Sequence, residues 1–391
     1  MLIIDTMKTI NNKELKEIIQ SGHINLLIGS GCSCDFITTL GDIEERMNND
    51  QTKFNALKEY YTLIKKSKAI LCVKHEINST ERTELAKTKE NYDSFLDFWA
   101  SIISSRSLHI VNKQVNIFTT NFDMFVEDSC ERLNIPYNDG FTGQINPFFS
   151  VKNFNKILKY KSMQFDNTSD IPLFNIVKLH GSISWLAKDD KIMYSNGSHI
   201  PDDLESKTEE EFQEGYKKIA VINPNAEKHF ETVLDTNFAS MLRKFALELE
   251  KENSVLFIMG FSLNDKHIKD LLYGAMKSNP TLVVVYFSYE TYNKSKDDLQ
   301  EQANPNLYVI SSIVCKEKLD RIFGTEDTWK EYVKDLKDTP LELIDDIEEK
   351  IESPEKDKLV QLRLMPFNEI IEYLKKIFIC SEDCIADAKR E

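Results

Sequence analysis

Four short polar blocks stand at the ends of apolar runs in this chain. Gly29-Ser30-Gly31-Cys32-Ser33 follows the run 24–28, Thr119-Thr120-Asn121-Phe122-Asp123 follows 115–118, and His180-Gly181-Ser182 follows 174–179. Gly260-Phe261-Ser262-Leu263-Asn264-Asp265 follows 255–259. Glycines let a backbone turn tightly and approach a phosphate, and a following helix offers free N–H groups. An asparagine amide can orient a water or a ribose hydroxyl. A histidine titrates near neutrality and can serve as a general base. Ser262 and its neighbouring N–H groups suit a ribose or a phosphate. Ligands of open α/β sheets bind at the carboxyl ends of strands, so the glycine loop, the Asn/Asp pair and the histidine point to one nucleotide-processing site.

Each block also has a plain structural alternative. The glycine block resembles an ordinary strand-to-helix turn, and Cys34 stands where a dinucleotide fingerprint wants Gly or Ala. Asn121 or Asp123 can cap a helix, as can Ser262, Asn264 or Asp265. A lone histidine is commonly a satisfied structural residue. His180 is set apart by its strand end and by Gly181. His23, His75, His109, His199, His229 and His267 lack that setting, and His267 reads as lying on the helix after Asp265.

The elements that must position these blocks alternate. Residues 12–21 read as a helix, with strands before Gly29, Thr120 and His180, then at 219–222, 255–259, 282–287 and 307–310. Helices are expected at 124–133, 226–251 and 265–277. This alternation predicts an α/β fold with a doubly wound, Rossmann-like parallel sheet. Nearly continuous apolar strands fit burial on both faces. Residues 42–111 are too long for a plain crossover and read as an inserted helical subdomain. Residues 135–170 read as an irregular loop able to cover the site, and 187–216 as a polar surface excursion. The domain is expected to span 1–320. A helical C-terminal appendage is expected at 321–391, with amphipathic stripes at 329–336 and 367–379.

Composition narrows the class. The chain has 391 residues, 41% of them hydrophobic, enough for a sizeable core. No apolar stretch approaches the ~20 residues of a membrane span, and residues 1–5 lack the features of a secretory signal. A cytoplasmic protein is expected. The net charge of −15 repels phosphate backbones and disfavours broad nucleic-acid binding, while leaving room for a local mononucleotide or dinucleotide pocket. The seven cysteines include no Cys-x-x-Cys pair, so a four-cysteine zinc site of the usual spacing is absent. Cys380 and Cys384 share a helical face but lack a partner pair, and no metal is assigned.

In this order, the four blocks resemble the sirtuin family. Gly29–Ser33 is similar to its phosphate loop, with Ser30 in place of an alanine. Thr120-Asn121-Phe122-Asp123 resembles its Gln-Asn-Ile-Asp block, Lys178–Ser182 its catalytic-histidine block, and Gly260–Leu263 its Gly-Thr-Ser-Leu block. The resemblance covers roughly residues 20–315. Two features depart from sirtuin deacylases: residues 183–259 contain no cysteine, where those enzymes carry a zinc module, and only Asp35-Phe36 echoes their Pro-Asp-Phe-Arg stretch. Both departures are similar to those of bacterial sirtuin-like effectors of anti-phage defence. The chain's length resembles the type paired with a HerA-like hexameric ATPase.

That resemblance implies an NAD glycohydrolase, cleaving NAD to nicotinamide and ADP-ribose without a metal and acting by NAD depletion in abortive infection. It implies that Asn121, Asp123 and His180 are catalytic, and that Gly29, Ser30, Gly31, Cys32, Ser33, Gly260, Ser262 and Asn264 bind NAD. A homo-oligomer is expected. Three alternatives stand beside it: a zinc-free protein deacylase, a non-catalytic NAD or ADP-ribose sensor, and a structural subunit of an ATPase complex.

Overall fold

The apolar runs become parallel strands. The computed structural model describes residues 12–71, 77–106, 111–164, 166–188, 191–223, 236–287, 307–310, 313–315, 359–361 and 366–379. In chain order the strands are β1 (His23–Ile28), β2 (Gln114–Thr119), β3 (Tyr137–Asn138), β4 (Phe141–Thr142), β5 (Phe148–Phe149), β6 (Lys159–Lys161), β7 (Thr168–Asp170), β8 (Leu173–Lys178), β9 (Gly181–Lys188), β10 (Lys191–Tyr194), β11 (Ile219–Val221), β12 (Ser254–Met259), β13 (Val283–Phe287), β14 (Leu307–Ile310), β15 (Ile313–Cys315) and β16 (Leu359–Gln361), the last of these a strand inside the segment expected to be helical. The helices are α1 (Asn12–Ser21), α2 (Ile43–Met47), α3 (Lys53–Ser67), α4 (Ser79–Ser105), α5 (Phe125–Arg132), α6 (Glu209–Tyr216), α7 (Thr236–Leu249), α8 (Lys266–Ser278) and α9 (Phe367–Ile379).

Seven strands form one sheet in the order β14-β13-β12-β1-β2-β8-β3, and every pairing in it is parallel. The chain starts at β1, builds outward to β8, then crosses to β12 and builds the other way. The direction reverses between β1 and β12, which is the switch point where doubly wound folds bind ligands. Period-two alternation buries both faces. Leu26, Ile117, Ile176 and Phe257 enter one core with α1, α4 and α9. Leu27, Phe118, Val177 and Leu256 enter the other with α7 and α8.

Polar residues inside the strands fix the register. Asn116 Nδ2 donates to Asn25 Oδ1 (2.9 Å), Asn175 Nδ2 to Asn116 Oδ1 (3.0 Å) and Asn138 Nδ2 to Asn175 Oδ1 (3.3 Å). A one-residue slip would turn these amides to the opposite face and leave them unpaired, at about 1–3 kcal/mol each. This chain of amides aligns β1, β2 and β8, the strands that carry three of the four blocks.

The 42–111 segment holds α2, α3 and α4, as its pattern predicts. Asn78 and Glu81 close a capping box at the start of α4, satisfying donors that a helix start leaves free. Its second half lies against the sheet, with the Trp99 ring 5.2 Å from that of Phe257. The inserted segment therefore also supplies the crossover between β1 and β2. Residues 72–76 and 107–110 lie outside the described residues.

Three stretches differ from the sequence reading. Ile219–Val221 joins not the parallel sheet but a second, antiparallel one, ordered β11-β9-β10-β5-β4. The polar excursion at 187–216 carries β10 and α6, and Phe212 is fully buried against Phe54 and Tyr61. Its acidic residues hid the helix because they occupy the first turn, where they suit the helix dipole. The 135–170 segment contains β3 to β7. Phe154, Asn155 and Ile157 from it line a cavity of about 220 Å³ with His23, Gln114 and Glu248. That cavity lies at the amino ends of the strands, away from the four blocks.

In the segment read as a C-terminal appendage, α9 is seated in the core. Phe367 packs on Tyr92 and Phe95 (ring centroids 5.2 and 5.1 Å), and Phe378 on Phe98 (5.6 Å). Its stripe of Ile370, Ile371, Leu374 and Ile377 is buried. The run at 329–336 and the pair Cys380 and Cys384 fall outside the described residues, as do residues 226–235 of the expected long helix, which is described from Thr236. Among the described residues, no helix is long and apolar enough to cross a membrane.

Candidate active site

All four blocks leave the sheet at one level. Ile28 of β1 is in register with Thr119 of β2 and with Met259 of β12, and Thr119 with Lys178 of β8. Ser30, Asn121, His180 and Phe261 therefore each stand two residues beyond the same row. The amide ladder lower in the sheet holds that alignment.

The glycine block makes a single 3-10 turn, Ser30–Cys32, rather than opening an α-helix. Four of its five N–H groups are already engaged. Gly29 N donates to Met259 O, Gly31 N to Gly260 O (2.9 Å), Cys32 N to Gly29 O and Ser33 N to Ser30 O. This loop therefore lacks the expected helix dipole, and most of its N–H groups are taken. Its glycines serve a different end. A Cβ on Gly29 would lie 2.3 Å from Gly260 O, and one on Gly260, whose φ is +60°, 2.5 Å from Cys32 N. Glycine on both sides lets the ends of β1 and β12 meet at the switch point. Burial pushes the Cys32 thiol well up, so it stays protonated. Ser30, Ser262 and Asn264 are exposed at these ends.

Beneath the loop lies a closed polar network. Asn121 Nδ2 donates to Gly29 O (3.0 Å) and to Ser33 Oγ (3.3 Å). Ser33 Oγ donates to Asp123 Oδ2 (2.8 Å) and is 2.9 Å from Tyr92 Oη. With its only proton given to the carboxylate, Ser33 accepts from Tyr92. Asp123 Oδ1 accepts from Phe125 N (3.2 Å) at the start of α5. One carboxylate oxygen therefore acts as the cap that sequence allowed, and the other braces Ser33. Burial pushes the Asp123 carboxyl up, opposed by the Lys178 charge and the hydrogen bonds from Ser33 and Phe125.

Asn121 itself caps nothing. Its two amide protons are directed at Gly29 and Ser33, while its Oδ1 is buried without a hydrogen-bond partner. Flipping the amide would set Oδ1 against the Gly29 carbonyl, so the network fixes the orientation. An unpaired buried carbonyl costs about 1–3 kcal/mol and marks a position where an O–H donor would be welcome.

His180 is anchored through its backbone. Leu179 N donates to Thr119 O (2.8 Å) and Ile222 N to His180 O (3.0 Å). Gly181 follows at φ +80°, where a Cβ would strike Ala220 O at 1.9 Å. Only glycine allows the chain to turn there from the parallel sheet into β9.

The His180 side chain meets two residues that sequence reasoning did not join to it. Its Nε2 lies 3.3 Å from Asp265 Oδ2 and 3.4 Å from His267 Nε2. His267 Nδ1 is 2.9 Å from Asp265 Oδ1. Asp265 is the N-cap residue of α8, yet its side chain makes no capping bond; it serves the histidines instead. The available signal was the spacing Asp265-x-His267 at a strand's carboxyl end, which periodicity assigned to a helix alone. Lys178, just before the block, is buried beside Glu127 (3.2 Å) and donates to the Asp123 carbonyl.

Residues 115–310 match the family model described as SIR2-like domain. The chain belongs to this SIR2-like family. The matched stretch begins in β2 and so excludes β1 and the glycine loop, although β1 pairs with β2 and β12 at the centre of the sheet. Two solved structures align with this SIR2-like chain at 13% identity. One, from work on the structural basis for the mechanism and regulation of Sir2 enzymes, covers 76% of this chain and 91% of its own at a TM-score of 0.37. The other, a Sir2 homolog–NAD complex, covers 78% and 91% at a TM-score of 0.40. Comparison with curated proteins returned no match.

Proposed function

We propose that this SIR2-like protein hydrolyses NAD to nicotinamide and ADP-ribose. The observation that carries the reading is the common register row: Ser30, Asn121 and His180 emerge side by side from β1, β2 and β8 at the switch point of the sheet. Family membership supplies the substrate class, and the unpaired Asn121 Oδ1 supplies an acceptor for a water or a ribose hydroxyl.

In this reaction the bond between ribose C1′ and the nicotinamide nitrogen breaks, and its electron pair neutralises the pyridinium. Water oxygen bonds to C1′ and gives up a proton. Asn121 orients the attacking water or the ribose hydroxyls, and His180 accepts the proton. Asp123 acts one step removed, through Ser33. Ser30, Ser262 and Asn264 are the exposed groups available to the ribose and phosphates, with Gly29, Gly31, Cys32, Ser33 and Gly260 shaping the loop from within. The Asn121 oxygen is enclosed, so substrate entry requires the glycine loop or a neighbouring element to open.

The lack of cysteine in residues 183–259 favours hydrolysis over zinc-bearing deacylation, and supports the reading as an NAD-depleting effector of anti-phage defence. In that setting the protein is a cytoplasmic homo-oligomer restrained through a HerA-like ATPase. Incubating NAD with the purified chain, alone and with the ATPase, tests this. Nicotinamide and ADP-ribose in equal amounts support it. Acyl transfer from an acetyl-lysine peptide, or NAD binding without nicotinamide release, would replace it with the deacylase or the sensor.

A further inference from the structure

The fold brings together three metal-ligand side chains, two of them 87 positions apart. His180, Asp265 and His267 each offer one ligand atom, and these atoms all lie within 4.8 Å of one another. A tetrahedral zinc ion with bonds of about 2.0–2.1 Å holds its ligands roughly 3.3–3.4 Å apart. The two imidazole nitrogens are 3.4 Å apart, and His180 Nε2 is 3.3 Å from Asp265 Oδ2. Both separations match the edge of such a tetrahedron.

The third pair of side chains is equally close, with His267 Nδ1 2.9 Å from Asp265 Oδ1. His267 and Asp265 are buried, while His180 is only partly so. Two ligands are therefore shielded from competing water, and the third lies on the approachable side, where a fourth position can be filled by water.

We propose that His180, Asp265 and His267 form a binding site for a borderline divalent cation of the zinc class. Two neutral imidazoles and one carboxylate suit zinc better than the all-oxygen preference of magnesium or calcium. The site is separate from any cysteine module and stands whether or not the protein cleaves NAD. Where both hold, the cation engages His180 and slows nicotinamide release.

The test uses the full chain, stripped with a chelator and titrated with Co²⁺, whose visible bands report tetrahedral coordination. The wild type should bind one equivalent. His267→Asn and Asp265→Asn, checked for folding by circular dichroism, should each weaken binding at least ~10-fold. Cys34→Ser, which removes an exposed thiol, should bind like the wild type. Absence of the bands in the wild type, undiminished affinity in both His267→Asn and Asp265→Asn, or their loss in Cys34→Ser would overturn the site. None of these readouts depends on turnover of NAD.

Discussion

His180 Nε2 lies 3.3 Å from Asp265 Oδ2, although β8 and β12, which carry them, are separated by two strands. Neighbouring strands stand about 4.8 Å apart, so the strands themselves are roughly 14 Å apart. The two loops reach toward each other over the ends of β1 and β2, from which Gly31 and Asn121 emerge. Asp265 thus positions the imidazole that the hydrolase reading uses as a base. Asp265→Asn in the metal-free protein should lower kcat for nicotinamide release about 10-fold or more, with KM nearly unchanged. An equal loss confined to KM would assign Asp265 to substrate binding instead.

Ser33 completes three hydrogen bonds in a buried place, with Asp123, Tyr92 and Asn121. Ser33→Ala leaves those partners short of one bond each. Unfolding in urea should show a loss of about 1–3 kcal/mol, and activity should fall because Asn121 loses one of its two anchors. A wild-type midpoint for Ser33→Ala would show that the network does not hold the loop.

Gly260 touches Gly31 and Cys32 closely enough that a methyl group there has no space, and its positive φ adds strain of about 1–3 kcal/mol for any other residue. Gly260→Ala should lower the thermal midpoint by several degrees and abolish turnover by pushing the two strand ends apart. Gly41, at a positive φ with open space around it, is the control: Gly41→Asn, a residue tolerant of that backbone region, should leave turnover intact.

The buried Glu127–Lys178 pair gives a pH dependence with a definite sign. Burial pushes the Glu127 carboxyl up from 4.5 to about 7, against the opposing Lys178 charge. Between those values the folded chain holds a proton that the unfolded chain has released. Stability should therefore fall as pH rises through that window, by on the order of 1–3 kcal/mol. Urea midpoints measured from about pH 5 to 7.5 should show this slope, and Glu127→Gln should flatten it.

Much of the fold was legible because parallel strands buried on both faces read as apolar runs. The switch point was legible because glycine is the residue that permits close backbone approach. The roles within the site were less so. The glycines of 29–33 suggested a phosphate cradle, yet their N–H groups close onto β12. In the sequence His267 shows only its helical placement, which says nothing about what the first turn faces. The asparagines at 25, 116 and 175 interrupt the apolar runs, and only pairing across strands reveals them as a ladder. Ile219–Val221 has the composition of a central strand, but its antiparallel partner is chosen by Gly181, dozens of residues earlier.

Nicotinamide release by His180→Ala and Asn121→Ala beside the wild type, with and without the ATPase, tests the account most directly. Whichever wild-type preparation turns over should yield nicotinamide and ADP-ribose in equal amounts. His180→Ala should be slower by ~10²–10⁴, the usual cost of losing a general base, and Asn121→Ala, which loses the group that orients the water, should be slower as well, both with unchanged circular dichroism. Wild-type turnover by either folded variant would contradict the account.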